Sequence, residues 1–507
     1  MPIPPLKTLA QDLRRRILYA TAEIVGLALG FFAATLILLY VAYEKSYDGF
    51  VDPDRQVYRV SALFKRADAA LDTSQKQLAA ALPREVAGIT EAARLLPEPH
   101  SLRAGAVEYN ETVYWADPNL LRVLPLPLRA ARGPDPLAAP NSAVISERVA
   151  RRYFGTADAV GRLLQLDRAA RFEVTGVLRD LPANSHLATE ILLSGATANA
   201  GLKALDADEP DAIGAPVYTY FRALPGSDAA RLQAAMPALI DRHWAQSSGE
   251  KMSDTVALRI FPVRDIHMHG TGLFAMRPGG DPATANALAL VALLVVIAAC
   301  INFVNLMTAR ASRRMVEVGI RKCFGASRRD LAIRFFGEAL VLVLVAFALA
   351  VAAVHLLLPV FNAIVGAQIG FAWWHHPLPV LAALAALAGI ALLAGAYPAL
   401  FLSAFRPIDV LRAGRAANAG SNVLRRALIM VQFAVFIGLL IAVLTIHAQV
   451  RYAMSRTTAA PDSAVVAIET DCRGGFPEAV RHIPGVRAVA CAQSAPTNRN
   501  KIGTSVV

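Results

Sequence analysis

Residues 285–334 pass from an uncharged apolar block into a strongly basic segment and then into a second apolar block. The apolar run over residues 285–307 is long enough to cross a bilayer. In the segment that follows, eight Lys and Arg residues stand against Glu317 and Asp330. Such an excess of positive charge is typical of the cytoplasmic side of a membrane. The stretch therefore predicts a membrane helix, a short helix on the inner membrane surface, and a return into the membrane.

The basic segment has the pattern of an amphipathic helix. Val316, Ile320 and Phe324 recur at helical spacing. Gly325 is suited to end that helix in a left-handed conformation. Ser327, with Asp330 three residues later, is close to a capping box and predicts the start of the next helix.

The overall composition favours a membrane protein over a nucleic-acid-binding protein. Hydrophobic residues make up 55% of the 507 residues, and the formal net charge is +12. The basic residues do not form one patch but cluster at the ends of apolar blocks. That placement fits membrane topology, so we expect no nucleic-acid partner.

A first membrane helix is predicted over residues 17–43, after a short basic N-terminus (residues 1–16). A cleaved signal peptide is the competing interpretation, but its apolar region would be only about 7–15 residues long. We therefore interpret the run as an uncleaved anchor. Basic residues precede it and acidic residues follow it, which predicts a cytoplasmic N-terminus and an outer domain after the helix.

Residues 44–282 are predicted to form one extracytoplasmic α/β domain. Alternating, β-rich runs predict strands over residues 56–64, 141–146, 172–178 and 217–224. Helices are predicted over 147–153 and 229–244, the second with a plausible N-cap at Asp228.

Neither a metal site nor a catalytic constellation is predicted. His267 and His269 stand close together beside Asp265, but no further ligand cluster completes a site, so loop histidines are the favoured interpretation. Cys472 and Cys491 are able to pair in an exported segment, or to remain idle thiols.

Three further spans complete the predicted topology. The loop over 359–379 contains Trp373 and Trp374 and is placed outside, because tryptophans often lie at a membrane interface. The predicted segments are a cytoplasmic surface helix over 309–326, spans over 331–358, 380–401 and 427–450, a cytoplasmic loop over 402–426, and the start of a second outer domain over 455–507.

The chain contains two segments that resemble each other, which indicates an internal repeat. Residues 14–43 and 424–454 each present a basic cluster, a long apolar span and an exit into a polar segment. The second copy is unfinished, which favours a fragment of a longer chain over a reduced outer segment. Strands are expected over 462–470 and 486–492, with a helix between them.

Polar groups within the spans are interpreted as structural. Asn302 and Asn305 lie three residues apart near a cytoplasmic end, which favours hydrogen bonds between helices. Glu23 would cost roughly 2.5–3.5 kcal/mol at mid-span, and we expect a structural partner such as an arginine. Glu338 is expected to pair with Arg334 one turn earlier.

Several segments together resemble the MacB/FtsX-like permease subunits of ABC transporters, also called the type VII class. The segment most typical of the family is NFVNLMTARASRRMVEVGIRKCFGASRRDL (residues 302–331). The other segments are YEKSYDGF (43–50) followed by VYRV (57–60), SERVARRYFG (146–155), VTGVLRDLPANSHL (174–187) and YPALFLSAFRPIDVLR (397–412). This resemblance implies an α-helical transmembrane bundle, with five spans in this chain out of eight in the longer form, and a MacB-like periplasmic core domain.

The resemblance also implies that the basic surface helix rests on a cytoplasmic ATPase subunit. The residues that match this coupling motif are Glu317, Val318, Gly319, Ile320, Arg321, Lys322, Gly325 and Ala326. A plain juxtamembrane helix bound to anionic lipid is the alternative, and membrane lipid is expected to be a partner in either case.

The function expected from this resemblance is that of a mechanotransmission permease of the bacterial inner membrane, serving efflux or export. No GxxxxGK[ST] sequence occurs in the 507 residues, so we expect no cofactor and no enzymatic activity in this chain, with ATP bound by a partner subunit. A homodimer or second permease copy and a periplasmic adaptor are further expected partners. A non-transporting sensor or regulator, which binds a ligand or activates a cell-wall hydrolase, is the main alternative, and a membrane-surface enzyme is a distant third.

Overall fold

The computed structural model describes residues 6–207, 217–244, 251–270, 272–313, 324, 327–371, 377–397, 419–457 and 475–491. The chain divides into two compact units. Unit 1 consists of residues 1–43 and 283–456, and unit 2 of residues 44–282 and 457–507.

Unit 1 consists of long apolar helices. Among the described residues, four helical segments have the length and hydropathy of a membrane span: Ala20–Glu44, Pro282–Ala309, Arg328–Val365 and Arg426–Ser455. The five long helices that the structure describes in this unit are, in chain order, α1 (Leu6–Glu44), α9 (Pro282–Arg313), α10 (Arg328–Val365), α11 (Pro377–Tyr397) and α12 (Ala419–Thr457). Each predicted span falls in one of them, although residues 398–401 of the fourth span lie outside the described residues.

Helices α1, α9, α10 and α11 share one apolar core. Leu27 and Phe31 of α1 pack with Phe303 of α9, Val343 of α10 and Leu387 of α11. The rings of Phe31 and Phe347 meet edge to face, with centroids 6.3 Å apart. Helix α12 differs, because none of its most apolar window is buried.

The predicted outer loop over 359–379 is partly helix. Helix α10 continues through Pro359 to Val365 and ends at Gly366, whose left-handed φ of 69° suits glycine. Apolar transmembrane helices tolerate an internal proline more readily than soluble helices do. The Asn362 side chain then closes the loop, because its amide donates to the carbonyl of Ile369 (3.1 Å) and accepts from the amide of Ile369 (3.2 Å). The two tryptophans of this loop lie outside the described residues.

The described part of unit 2 is built on a mixed sheet of eleven strands. The strand order is β11-β1-β10-β3-β4-β9-β6-β8-β5, with β2 paired to β1 and β7 paired to β3 and β8. The strands are β1 (Val57–Phe64), β2 (Ala69–Leu71), β3 (Ile89–Ala104), β4 (Val107–Ala116), β5 (Leu128–Ala131), β6 (Ser142–Ser146), β7 (Leu163–Leu166), β8 (Ala170–Leu178), β9 (Ile191–Ser194), β10 (Tyr218–Ala223) and β11 (Val256–Pro262).

Short helices pack against the sheet of unit 2. The helix predicted over 229–244 spans Ala229–His243, and the Asp228 side chain caps it by accepting from the amide of Ala230 at 2.9 Å. The helix predicted over 147–153 spans Glu147–Phe154 and is capped by Ser146. Among the described residues, the α-helices of unit 2 are α2 (Leu78–Glu85), α3 (Leu120–Val123), α4 (Glu147–Phe154), α5 (Gly201–Ala207), α6 (Ala229–His243), α7 (Met252–Thr255), α8 (Ile266–His269) and α13 (Phe476–Arg481).

The prediction of a strand over 486–492 is wrong for the described residues 486–491, which form no strand. A β-rich run needs a hydrogen-bonded neighbour to become a strand, and the sheet pairings of the described residues give this run none. Its expected partner over 462–470 lies outside the described residues. Cys491 is disulfide-bonded, whereas Cys300 of unit 1 is free.

Candidate functional site

The predicted coupling motif lies outside the described residues. Its members are Glu317, Val318, Gly319, Ile320, Arg321, Lys322, Gly325 and Ala326. Before the motif, α9 continues without a break to Arg313, so residues 309–313 extend the membrane helix and do not begin a separate one. Within the motif, the Phe324 side chain is 88% exposed. The role of this face as a contact with a membrane or a partner stays a prediction.

The capping box predicted after the motif is present. The Ser327 side chain accepts from the amide of Asp330 (3.2 Å), and the Asp330 side chain accepts from the amide of Ser327 (3.1 Å). The two side chains are also joined at 2.6 Å. These contacts satisfy two backbone amides at the start of α10, so the helix has a fixed first residue directly after the coupling motif.

The polar residues within the bundle lie between helices. Glu23 is only 1% exposed. A Cβ atom added at Gly26 of α1 would lie 3.1 Å from the side-chain nitrogen of Asn302 on α9, so this asparagine faces α1. The hydrogen bond between helices that the sequence favours for Asn302 stays a prediction.

The chain enters unit 2 through a turn, residues 44–49, that directly follows the last turn of α1. Asp48 in this entry turn is fully buried and has a left-handed φ of 56°. Its carboxylate accepts from the Ser185 hydroxyl (2.7 Å) and from the amide of His186 (3.1 Å). Its own amide donates to the carbonyl of Asn184 at 3.0 Å. A buried carboxylate with several donors is well satisfied, so these contacts fix the entry turn to loop 183–187.

Two further contacts join loop 183–187 to the segments by which the chain enters and leaves unit 2. The Asn184 amide group donates to the backbone carbonyl and the hydroxyl of Ser46 (3.3 and 3.0 Å). The Arg277 guanidinium donates to the carbonyl of Ala183 at 2.9 Å. Arg277 precedes α9 by only a few residues, so the same loop contacts the entry turn and the exit segment, residues 277–280.

His267 also contacts the entry turn, through Glu44 and Tyr47. Its Nε2 atom lies 2.8 Å from a carboxylate oxygen of Glu44, and its ring is stacked on Tyr47 with centroids 3.4 Å apart. A Cβ added at Gly280 would lie 2.8 Å from this histidine nitrogen and 2.9 Å from the Glu44 carboxylate. The exit segment therefore passes over the Glu44–His267 pair at a distance that only glycine permits. Among the described residues no group of His, Cys, Asp and Glu has the arrangement of a metal site.

Behind the entry turn, a chain of buried polar groups leads into the sheet. The Nδ1 atom of His186 lies 2.8 Å from the carboxylate of Asp48, without the alignment of a hydrogen bond, so this contact is an ion pair when the ring is charged. Its Nε2 atom lies 2.8 Å from the hydroxyl of Tyr220 on β10. Complete burial raises the pKa of Tyr220 well above its ordinary value, so the hydroxyl stays protonated.

The polar chain continues to β1 through a buried ion pair. Tyr220 pairs with Arg59 in the β1–β10 register. The Arg59 guanidinium lies 2.9 Å from the carboxylate of Asp72 and also donates to the carbonyl of Gly270. Burial raises the pKa of Asp72 despite the positive charge of Arg59. Buried charges of this kind are costly unless they are paired, and here they join β1 to the segments that contain Asp72 and Gly270.

No sequence pattern singled out the residues of these contacts. Asp48 and His186 stand 138 residues apart in the chain, and neither belongs to a motif with a stated role. Their segments did carry a signal, because YEKSYDGF and VTGVLRDLPANSHL were among the stretches that resemble the permease family. The structure brings these two stretches into contact.

Comparisons with known proteins agree with this architecture. Residues 23–239 match a family model described as the MacB-like periplasmic core domain, and residues 289–407 match one described as the FtsX-like permease C-terminal domain. Together these ranges cover more than half of the chain.

One relative and two solved structures show how far the similarity extends. The macrolide export ATP-binding/permease protein MacB of Bdellovibrio bacteriovorus is 26% identical over 285 residues, which is 53% of this chain and 38% of that protein. The periplasmic region of MacB from Actinobacillus actinomycetemcomitans is 12% identical, with a TM-score of 0.31, covering 42% of this chain and 91% of that one. The extracellular domain of the ABC-type transporter YknZ from Gram-positive bacteria is 12% identical, with a TM-score of 0.29, covering 40% of this chain and 99% of that one.

An α-helical membrane bundle that carries an α/β periplasmic-type domain defines a permease-type membrane protein, as the sequence predicted. The chain belongs to the MacB/FtsX-like permease family of ABC transporters. It is accordingly a multi-pass protein of the bacterial inner membrane.

Proposed function

We propose that this chain is a mechanotransmission subunit, which converts ATP-driven motion on the cytoplasmic side into motion of the periplasmic core domain for efflux or export. The observation that carries this proposal is the continuity of α1. One unbroken helix from Leu6 to Glu44 leads, without a linker, into a turn that is hydrogen-bonded into unit 2. A helix is stiff over this length, so displacement at one end is passed to the other rather than absorbed.

The motor contact is proposed to be the coupling motif Glu317–Ala326. Its amphipathic pattern supports the proposal, with Val316, Ile320 and Phe324 able to seat the helix and Arg321 and Lys322 able to meet acidic or carbonyl acceptors. The capped start of α10 directly after the motif also supports the proposal. Because the cap fixes the first residue of the helix, displacement of the motif is passed to α10 with little loss.

The remaining partners and the orientation follow from the same proposal. ATP is bound and hydrolysed by a cytoplasmic ABC ATPase subunit, so this chain needs no cofactor. The N-terminus lies in the cytoplasm, because the basic residues at the start of α1, before residue 17, and the acidic residues after α1 favour that orientation. The functional assembly contains a homodimer or a second permease copy, is surrounded by membrane lipid, and engages a periplasmic adaptor where the substrate is exported.

A two-residue variant in the coupling motif tests the proposal. In Arg321→Glu/Gly325→Pro, the basic contact is reversed and the helix end is distorted. We expect loss of co-purification with the ATPase encoded nearby, or loss of the ATPase stimulation that the unaltered chain provides. Arg171→Glu, an exposed charge reversal in unit 2, is the control and should leave both intact.

Two outcomes would contradict the proposal. Unchanged assembly and unchanged stimulated ATPase activity in the double variant would show that the motif is not the motor contact. Failure of any ATPase to co-purify with the unaltered chain, together with binding of a periplasmic ligand or a cell-wall hydrolase, would favour a non-transporting sensor or regulator.

A further inference from the structure

The contacts at the base of unit 2 converge on one short region. We define the junction as the entry turn (residues 44–49), loop 183–187, His267 and the exit segment (residues 277–280). Each part contacts at least one other part: Asp48 contacts Ser185 and His186, Ala183 contacts Arg277, and Gly280 lies over Glu44 and His267.

We propose that the junction is a clamp, which holds the entry and the exit of unit 2 as one body and thereby delivers helix displacement to the sheet. Asp48, His186 and His267 are its positioning residues. The inference rests on the proposed function and names the residues through which that function operates inside unit 2.

The burial of the contacts supports a permanent clamp rather than a transient one. The side chains of Asp48 and His186 are 0% and 6% exposed, and those of Glu44 and His267 are 15% and 6% exposed. Separating Asp48 from loop 183–187 would deprive a buried carboxylate of the Ser185 and His186 donors, which is unfavourable. The parts of the junction therefore move together.

The clamp is joined to both ends of the sheet. Loop 183–187 connects β8 with β9, which lie towards the β5 edge. His186 also reaches Tyr220 on β10, whose neighbour β1 carries the Arg59–Asp72 pair near the β11 edge. Displacement of the entry turn is therefore delivered to strands on both sides of the central β3–β4 pair.

The test uses the full chain in nanodiscs together with its ATPase. The test variant is His186→Ala/His267→Ala, which removes both histidines from the junction. The control variant is His100→Ala/His243→Ala, because each of these histidines also contacts a carboxylate of unit 2 but lies outside the junction: His100 contacts Asp167 (2.7 Å) and Glu98 (3.1 Å), and His243 contacts Glu85. The measurement is the ATP-dependent change in amide hydrogen exchange over β8 and β9.

We expect the test variant to keep ATP hydrolysis but to lose the ATP-dependent exchange change over β8 and β9. The control variant should retain it. A rescue separates loss of the clamp from general damage to the fold. Ser46→Cys/Asn184→Cys, added to the test variant and joined by a short bifunctional thiol reagent, replaces a native side-chain contact of 3.0 Å and should restore the exchange change.

The outcomes separate this inference from the proposed function. If the unaltered complex shows no ATP-dependent exchange change, the proposed function fails and the transmission role of the clamp fails with it. If the unaltered complex responds and the test variant responds equally, the clamp alone is contradicted. A test variant that loses the response and is not restored by the cross-link would also contradict the clamp.

Discussion

Gly30 of α1 and Ala299 of α9 approach so closely that a Cβ atom added at Gly30 would lie 2.4 Å from the Cβ of Ala299. Gly26 stands one turn earlier on the same face, where an added Cβ would lie 3.1 Å from the side chain of Asn302. Small residues four apart let two membrane helices approach each other in this way. The contact joins the two helices that flank unit 2 in the chain.

Gly30→Val is expected to separate α1 from α9, because the new side chain has no room beside Ala299. Overpacking of this kind typically costs about 1–3 kcal/mol. The measurement is thermal stability of the full chain in lipid or detergent. Gly337→Val in α10 is the matched control, since a Cβ there meets no atom within 4 Å and the change in helix propensity is the same. Equal stability of the two variants would contradict close packing at Gly30.

The helix caps were predictable from the sequence, because neighbouring residues determine them. Both the cap at Asp228 and the capping box of Ser327 and Asp330 are present as predicted. Each depends on residues at most three apart, so no knowledge of the distant chain is needed.

The two longest strands, β3 and β4, were not predicted. Pro97 and Pro99 lie within β3, and proline normally argues against an internal strand. On one side of β3, strand β10 pairs with residues 89–95 and strand β7 with residues 102–103. The two prolines lie in the gap between these partners, where their missing N–H groups cost no hydrogen bond on that side. Such a gap depends on tertiary pairing and is invisible in a single sequence.

The junction was unpredictable for a similar reason. Apart from the contact of Gly280 with His267, its contacts join segments more than 90 residues apart, as between Arg277 and Ala183. The prediction that His267 is a loop histidine is wrong, because the structure places it in the short helix α8, where it contacts a carboxylate and an aromatic ring. Sequence patterns located the segments, but only the fold shows which of them meet.

The buried pair of Arg59 and Asp72 should behave as a coupled unit. Arg59→Met alone leaves a buried carboxylate without its cation and is expected to cost about 3–5 kcal/mol of unfolding free energy. Arg59→Met/Asp72→Leu removes both charges and should cost clearly less than the sum of the two single changes. Chemical denaturation of all four proteins measures the coupling. Additive single effects would show that the two side chains do not stabilise each other.

Gln233 of α6 covers the edge of strand β11. Its side-chain amide donates to the carbonyl of Leu258 (2.7 Å) and accepts from the amide of Ile260 (2.9 Å), as a neighbouring strand would. Gln233→Leu should therefore cost about 1–3 kcal/mol and increase aggregation, because it exposes an unpaired strand edge. Stability and light scattering measure the two effects. Arg231→Leu, an exposed change on the same helix, is the control, and equal aggregation of both variants would contradict the role of Gln233.

The raised pKa of Asp72 predicts how the stability of unit 2 depends on pH. Burial raises the pKa of this carboxyl above its ordinary value, and the Arg59 charge only partly opposes the effect. In the window between the ordinary and the raised pKa, the folded state binds more protons at this site than the unfolded state. The Asp72 contribution to stability is therefore fully present below the ordinary pKa and is lost as pH rises through the raised one. Asp72→Asn should remove this decline, although its overall stability is lower because Arg59 loses its partner. Unfolding measured across the acid range at constant ionic strength tests the slope, and an equal slope in the variant and the unaltered protein would show that Asp72 does not titrate in that window.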